Sequence, residues 1–233
     1  LHDAAYLLYR PLKRDEPSVQ AFLERDLPQL GIGINAMTMR RFWTMLAHYH
    51  GQIWNGAELS RALALSEKTV RTYLDLLTGA FVLRQLPPWF ENLGKRQYKA
   101  PKVYVRDSGL LHALLSIEDR LELAGHPKHG ASWEGFALEN VLRMIGAGHG
   151  DVYSWGTQAG AELDLLVLRK GARLGFEFKY ADAPGATKSM HVALQDLRLK
   201  HLYVVYPGEV EYPLEERITV TGLRQLAARF RRR

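Results

Sequence analysis

Apolar residues recur every three to four positions through much of the first half of this chain, then fall into short alternating or continuous runs in the second half. The first spacing predicts helices and the second predicts strands. Residues 1–34 read as one or two helices, with Ala21–Leu27 at helical spacing and Pro28 and Gly31 as stops. Met39–His50 is a second helix with Phe42, Trp43, Leu46 and Ala47 on its inner face, ended by Gly51. Ala57–Leu63 is a short helix. Ser66 is the N-cap expected for a helix over Glu67–Leu77, where Val70, Leu74 and Leu77 share a face. Phe81–Leu86 is a strand ended by Pro87-Pro88, Asn92–Gln97 is a basic turn, and Lys102–Val105 is the next strand. Helix, turn, helix and a two-stranded ribbon with a basic loop make the outline of a winged helix-turn-helix.

Asp107-Ser108-Gly109-Leu110 opens a further helix ending near Ser116, and a His- and Gly-rich stretch, Gly125–Gly130, follows. The domain boundary is expected between about 106 and 130. That gives a helical, winged-helix domain over 1–115 and a second domain over 130–233. In the second, Trp133–Met144 is a long amphipathic helix, and Tyr153–Trp155, Ala161–Val167 and Gly175–Tyr180 are strands. Residues 187–198 are helical, His201–Tyr206 is a buried strand, and Leu223–Phe230 is a last helix. The order from 131 is α-β-β-β-α-β, and the whole is of the mixed α/β (α+β) class.

Composition changes this picture little. The 233 residues are 47% hydrophobic and 24% charged, an ordinary globular balance. The absence of cysteine excludes disulfides and thiolate metal sites. No apolar run approaches the roughly 20 residues that cross a bilayer, and no secretory signal opens the sequence, so a cytoplasmic protein without membrane contact is expected. The net charge of +6 is compatible with a polyanionic partner, but part of it sits in the terminal Arg229–Arg233 run.

The chemistry concentrates in two strands. Glu177 and Lys179 are two residues apart and project together from a strand. Asp164, on the preceding strand, joins them if the two pair as a hairpin. Two carboxylates beside an ammonium suit a hard divalent cation such as Mg²⁺ and the hydrolysis of a phosphodiester. The bland reading of Glu177 and Lys179 is a solvated cross-strand pair alternating with Phe176, Phe178 and Tyr180. Glu162 shares the register of Asp164 as a further ligand or a solvated acid. In the winged helix, Lys68, Thr69 and Arg71 would approach a major groove, and Lys95, Arg96 and Lys99 would touch phosphates. Glu67 on the same helix opposes this, and a helix-turn-helix also serves as an assembly module. His48 and His50 read as a polar helix end, and His126 and His129 as a polar loop without further metal ligands nearby.

The order α-β-β-β-α-β, with Glu134 in Trp133-Glu134-Gly135-Phe136, Asp164 on the second strand and Glu177-Phe178-Lys179 on the third, resembles the PD-(D/E)xK nuclease superfamily. The resemblance implies a restriction-endonuclease-like domain in which Asp164, Glu177 and Glu134 hold metal and Lys179 orients water or stabilises charge. It leaves Glu139, about 140° around the helix from Glu134, as a surface charge. Tyr73–Leu77, Leu86-Pro87-Pro88-Trp89-Phe90, Gly94-Lys95-Arg96, Lys102-Val103-Tyr104 and Asp107–Leu110 resemble the C-terminal half of a bacterial and archaeal AAA+ ATPase family. No G-x-x-x-x-G-K-[ST] occurs, so no ATP site and no ATPase activity are expected from this chain. The resemblance implies an ATPase core upstream of Leu1 or lost. The usual Arg after the first strand of the nuclease-like domain is replaced by Gly156-Thr157-Gln158.

Three functions follow as expectations. The first is a nucleic-acid-interacting, Mg²⁺-dependent nuclease, with DNA ahead of RNA as substrate. The second is an inactive regulatory or docking module of an AAA+ ATPase; the partners expected are nucleic acid, an ATPase core or, in a homo-oligomer, a second copy of the chain. The third is a transcription factor working through the winged helix.

Overall fold

The computed structural model describes residues 35–92, 94 and 96–231. The helices expected within 1–34 lie outside the described residues, as does Lys95. The described residues form two compact units. One comprises 35–85 and 103–132, and the other 86–102 and 133–231. The class is α+β, with two sheets.

In the first unit, α1 (Ala36–His48) is followed by β1 (Gln52–Ile53), α2 (Gly56–Leu63), α3 (Glu67–Gly79), β2 (Leu83–Leu86) and β3 (Lys102–Val105), except that Leu86 and Lys102, the residues at the ends of the 86–102 segment, belong to the second unit. The strands order β1-β3-β2. Polar caps start the helices: Asn35, Asn55 and Ser66 accept backbone N–H groups of the first turns. Phe42, Leu46, Leu59, Leu74 and Leu77 build the core with Val103 and Val105. The two-residue β1 lay below the resolution of any periodicity argument. Then come α4 (Ser108–Leu114), capped by Asp107, and α5 (Arg120–Gly125). The His- and Gly-rich stretch is the junction between α5 and the next helix, and His126 Nδ1 accepts the Lys128 N–H there.

His50, expected as part of a polar helix end, is buried. It is 1% exposed. Its Nδ1 accepts the Val105 N–H at 3.0 Å, so Nε2 carries the proton and donates to Ala131 O, also at 3.0 Å. Burial lowers its pKa to about 3. The folded value lies below that of the unfolded chain, so this stability is present above about pH 6.5 and is lost as the pH falls toward 3. His50→Ala leaves two buried main-chain groups without their partner, at about 1–3 kcal/mol each. Urea denaturation across pH 4–7 should show a lower and flatter stability curve for the variant.

The second unit is built on a six-stranded sheet. It contains α6 (His129–Ile145) from Trp133 onward, β4 (Val152–Gly156), β5 (Glu162–Arg169), β6 (Ala172–Phe178), α7 (Lys188–Asp196), β7 (His201–Tyr206), β8 (Tyr212–Glu215), β9 (Ile218–Gly222) and α8 (Leu223–Arg231). The strand order is β4-β5-β6-β7-β9-β8. β4, β5 and β6 are antiparallel, while β6, β7 and β9 are parallel. The final strand pair β8–β9 was not predicted. Tyr212-Pro213 and Arg217-Ile218 alternate too briefly to separate from a loop. The β5–β6 hairpin turns on Lys170 and Gly171, both with positive φ, as a two-residue hairpin of this twist requires. No helix of the described residues is long and apolar enough to cross a membrane.

The described residues of the basic turn Asn92–Gln97, expected as the wing loop of the N-terminal domain, belong with their flanks to this second unit. The main chain shows why. Trp89 N–H donates to Ser154 O, Ser154 N–H to Pro87 O, and Tyr98 N–H to Gly156 O. These bonds satisfy the outer edge of β4, the edge strand of the sheet. Arg173 fastens the segment by pairing with Glu91 and lying 5.2 Å over the Trp89 ring.

Candidate functional site

β5 and β6 pair from Arg169↔Ala172 to Leu165↔Phe176. Beyond that point the Asp164 carboxylate takes the Phe178 N–H, Oδ2 accepting at 3.1 Å. The register between β4 and β5 also shifts here, between Tyr153 and Trp155. On the far side of β6 the pairing continues, with Lys179 N–H donating to Val205 O. The strands therefore loosen on one side only, and the gap is filled by polar side chains. Asp164 is 5% exposed and Glu177 3% exposed.

The structure brings the four predicted site residues into one neighbourhood, held by a fifth that the sequence reading did not select. Lys102, at the start of β3, places its Nζ 3.1 Å from Asp164 Oδ1 and 3.6 Å from Glu134 Oε1. Its side chain is 9% exposed. Lys179 Nζ pairs with Glu177 Oε2 at 3.0 Å, while Glu177 Oε1 is buried with no hydrogen-bond partner. A buried lysine without a carboxylate would be costly. In the sequence Lys102 opens a strand and a segment of the family resemblance, and nothing marks it as a site residue, because its partners stand 32 and 62 residues later. The available signal was a lysine opening a strand that is buried at every position.

The electrostatics separate the carboxylates. Burial pushes Asp164 up, but the Lys102 and Lys179 ammonium groups and the Phe178 N–H outweigh it, leaving its pKa below the usual carboxylate range. Burial and the neighbouring Asp164 charge drive Glu177 well above that range, and Lys179 offsets this only in part. Burial lowers Lys179, yet Glu177 and Asp164 reverse the shift and raise it. One ionised and one readily protonated carboxyl thus stand side by side, and two ammonium groups neutralise the cluster.

Other expected residues take different places. Glu162 is exposed, and its N–H donates to Ser189 Oγ. Glu139, expected as a surface charge, is 2% exposed, because Trp133, Ala137, Leu138, Val141, Leu142 and Ile145 bury most faces of α6. On α3, Lys68 is exposed, the Thr69 hydroxyl is engaged with the Ser66 cap, and Arg71 pairs with Asp75 at 3.2 Å. Arg96 and Lys99 are exposed, in the segment bound to β4.

Among the described residues no group of three or more His, Asp and Glu side chains is arranged to hold a metal ion. Asp164, Glu177 and Glu134 as they stand do not fit a divalent cation. The Lys102 ammonium lies on two of them, and the Lys179 ammonium pairs with the third.

Residues 129–226 match the family described as "Domain of unknown function (DUF4143)", and residues 10–121 match "Domain of unknown function (DUF8612)". A protein of Mycobacterium bovis and one of Mycobacterium tuberculosis, each named an uncharacterized protein, are 53% identical to this chain over 208 residues. The alignment covers 89% of this chain and 47% of each relative, so the chain spans about half the length of the curated relatives it matches. No solved structure matches the chain. A DUF8612 match followed by a DUF4143 match accounts for most of this sequence.

Proposed function

We propose that this chain is a non-hydrolytic docking or regulatory module of nuclease-like ancestry, made to work with an AAA+ ATPase core. The order helix, strand, helix, helix, strand, strand in the first unit supports a winged helix there. The order α-β-β-β-α-β, with Asp164 and Glu177-Phe178-Lys179 at the loosened hairpin, supports a PD-(D/E)xK fold in the second. One observation carries the functional reading: the Lys102 ammonium lies between Asp164 and Glu134, where a nuclease would need an acidic notch open to a cation. An internal cation satisfies those carboxylates without any ligand. The relatives, roughly twice as long, leave room for a further domain in proteins of this kind.

The test is cleavage. Single- and double-stranded DNA and RNA incubated with the chain and millimolar Mg²⁺ or Mn²⁺ should remain intact. Cleavage by the wild-type chain that Asp164→Asn abolishes would overturn the reading. The unpartnered, buried Glu177 Oε1 favours the other reading, a nuclease held closed, in which displacement of Lys102 frees the carboxylates.

A further inference from the structure

A second feature lies away from this cluster. At the other end of the β5–β6 hairpin, a hollow of about 330 Å³ is lined by Arg169, Lys170, Lys200 and Arg229 around Tyr203 and Phe230. Arg169 and Asp164 are five residues apart on β5, about 17 Å of strand. Leu174, which also lines the hollow, and Glu177 are three apart on β6, so they face opposite sides of the sheet. The hollow is thus separate from the carboxylate cluster.

Four cations meet here with little compensation. Arg229 pairs with Glu211. Among the described residues no carboxylate pairs with Arg169, Lys170 or Lys200. The fold gathers these charges from three places. The hairpin tip brings Arg169 and Lys170, the approach to β7 brings Lys200, and α8 brings Arg229. Like charges so placed repel, and an anion between them relieves that cost. The guanidinium of Arg169 lies 5.1 Å over the Phe230 ring and that of Arg229 5.8 Å over Tyr203. Each ring supports the guanidinium above it, and the Arg169 guanidinium, which no carboxylate among the described residues pairs with, is of the kind that gives two-pronged hydrogen bonds to phosphate. Ala172 and Leu174 add an apolar wall. The volume falls at the small end of the ligand-pocket range, enough for a phosphate with one compact group attached.

We infer that this hollow binds a phosphate monoester carrying a compact planar or apolar group, the chemistry shared by a mononucleotide and the 5′-phosphorylated end of a nucleic-acid strand. The dianionic phosphate lies among Arg169, Lys170 and Lys200, and the attached group rests on the Ala172–Leu174 wall. This site does not depend on the carboxylate cluster, and Asp164→Asn leaves it intact.

The experiment is a calorimetric titration of the full chain with AMP, with a short 5′-phosphorylated oligonucleotide and with its 5′-hydroxyl counterpart. Lys170→Ala/Lys200→Ala is the paired variant, because both side chains are exposed and their loss leaves the core unaltered. Its melting temperature should match the wild type. The expected result is binding of a phosphorylated ligand that weakens at least about tenfold in the variant. Tighter binding of AMP identifies a free nucleotide as the source, and tighter binding of the phosphorylated strand identifies a strand end. Equal binding of the phosphorylated and hydroxyl strands, an affinity unaltered in the variant, or no binding of any phosphate overturns the inference.

Discussion

Replacing Lys102 by Met should destabilise the protein by about 3–5 kcal/mol at neutral pH, the usual cost of removing one partner of a buried ion pair. The lysine side chain is 9% exposed and that of Asp164 7% exposed, so water cannot take over the role of the ammonium. Met keeps most of the volume and the apolar stem, so the loss reads the charge rather than a cavity. The double variant Lys102→Met/Asp164→Asn should recover a large part of the loss, because it removes the orphaned charge while Asn still accepts the Phe178 N–H. Guanidinium denaturation followed by tryptophan fluorescence measures both. A cost below about 1 kcal/mol for Lys102→Met would mean a solvent-screened pair and would remove the basis for an internal cation.

The second large effect is a pair of opposite pH dependences from two adjoining carboxyl groups. Asp164 has its folded pKa lowered. Its contribution to stability is present above its unfolded value, near 3.8, and is lost as the pH falls through the folded value. Asp164→Asn should therefore cost most at neutral pH and progressively less in acid. Glu177 has its folded pKa raised. Its contribution is complete below the unfolded value, near 4.5, and is lost as the pH rises through the folded value. Glu177→Gln should therefore gain on the wild type as the pH rises, by about 1.4 kcal/mol for each unit of upward shift once the titration is complete. Stability measured from pH 2 to 9 should show the Asp164→Asn curve closing on the wild type below about pH 3.8 and the Glu177→Gln curve gaining on it above about pH 4.5. Two variant curves that depart from the wild type over the same pH range and in the same sense would show that the two carboxyl groups are shifted alike, and the separation of their pKa values would be wrong.

Local pattern revealed much of this arrangement. The Ser66 cap, the apolar face of α3 and the hairpin carrying Asp164 and Glu177 all depend on neighbours within a few residues, and such spacing is visible in a linear text. Four features were not visible for the same reason. Lys102 meets Asp164 across 62 residues, and no periodicity encodes that distance. The turn Asn92–Gln97 reads as a wing loop because a basic turn between two strands is one locally. Its attachment to β4 is a matter of main-chain pairing, which carries no residue signature. His50 sits at a helix end where a polar residue is ordinary, and only the folded chain shows that it bridges Val105 and Ala131. The hollow beside Tyr203 joins side chains from a hairpin tip, a strand start and the last helix, none of them a motif alone.

The central claim is that a lysine already fills the cation's place among the carboxylates. Direct measurement of Mn²⁺ binding to the wild-type chain, by calorimetry with electron paramagnetic resonance of the free ion, tests it most simply. The account predicts no stoichiometric site on the wild type at micromolar to millimolar ion. One tightly held ion per chain, lost in Asp164→Asn, would contradict it.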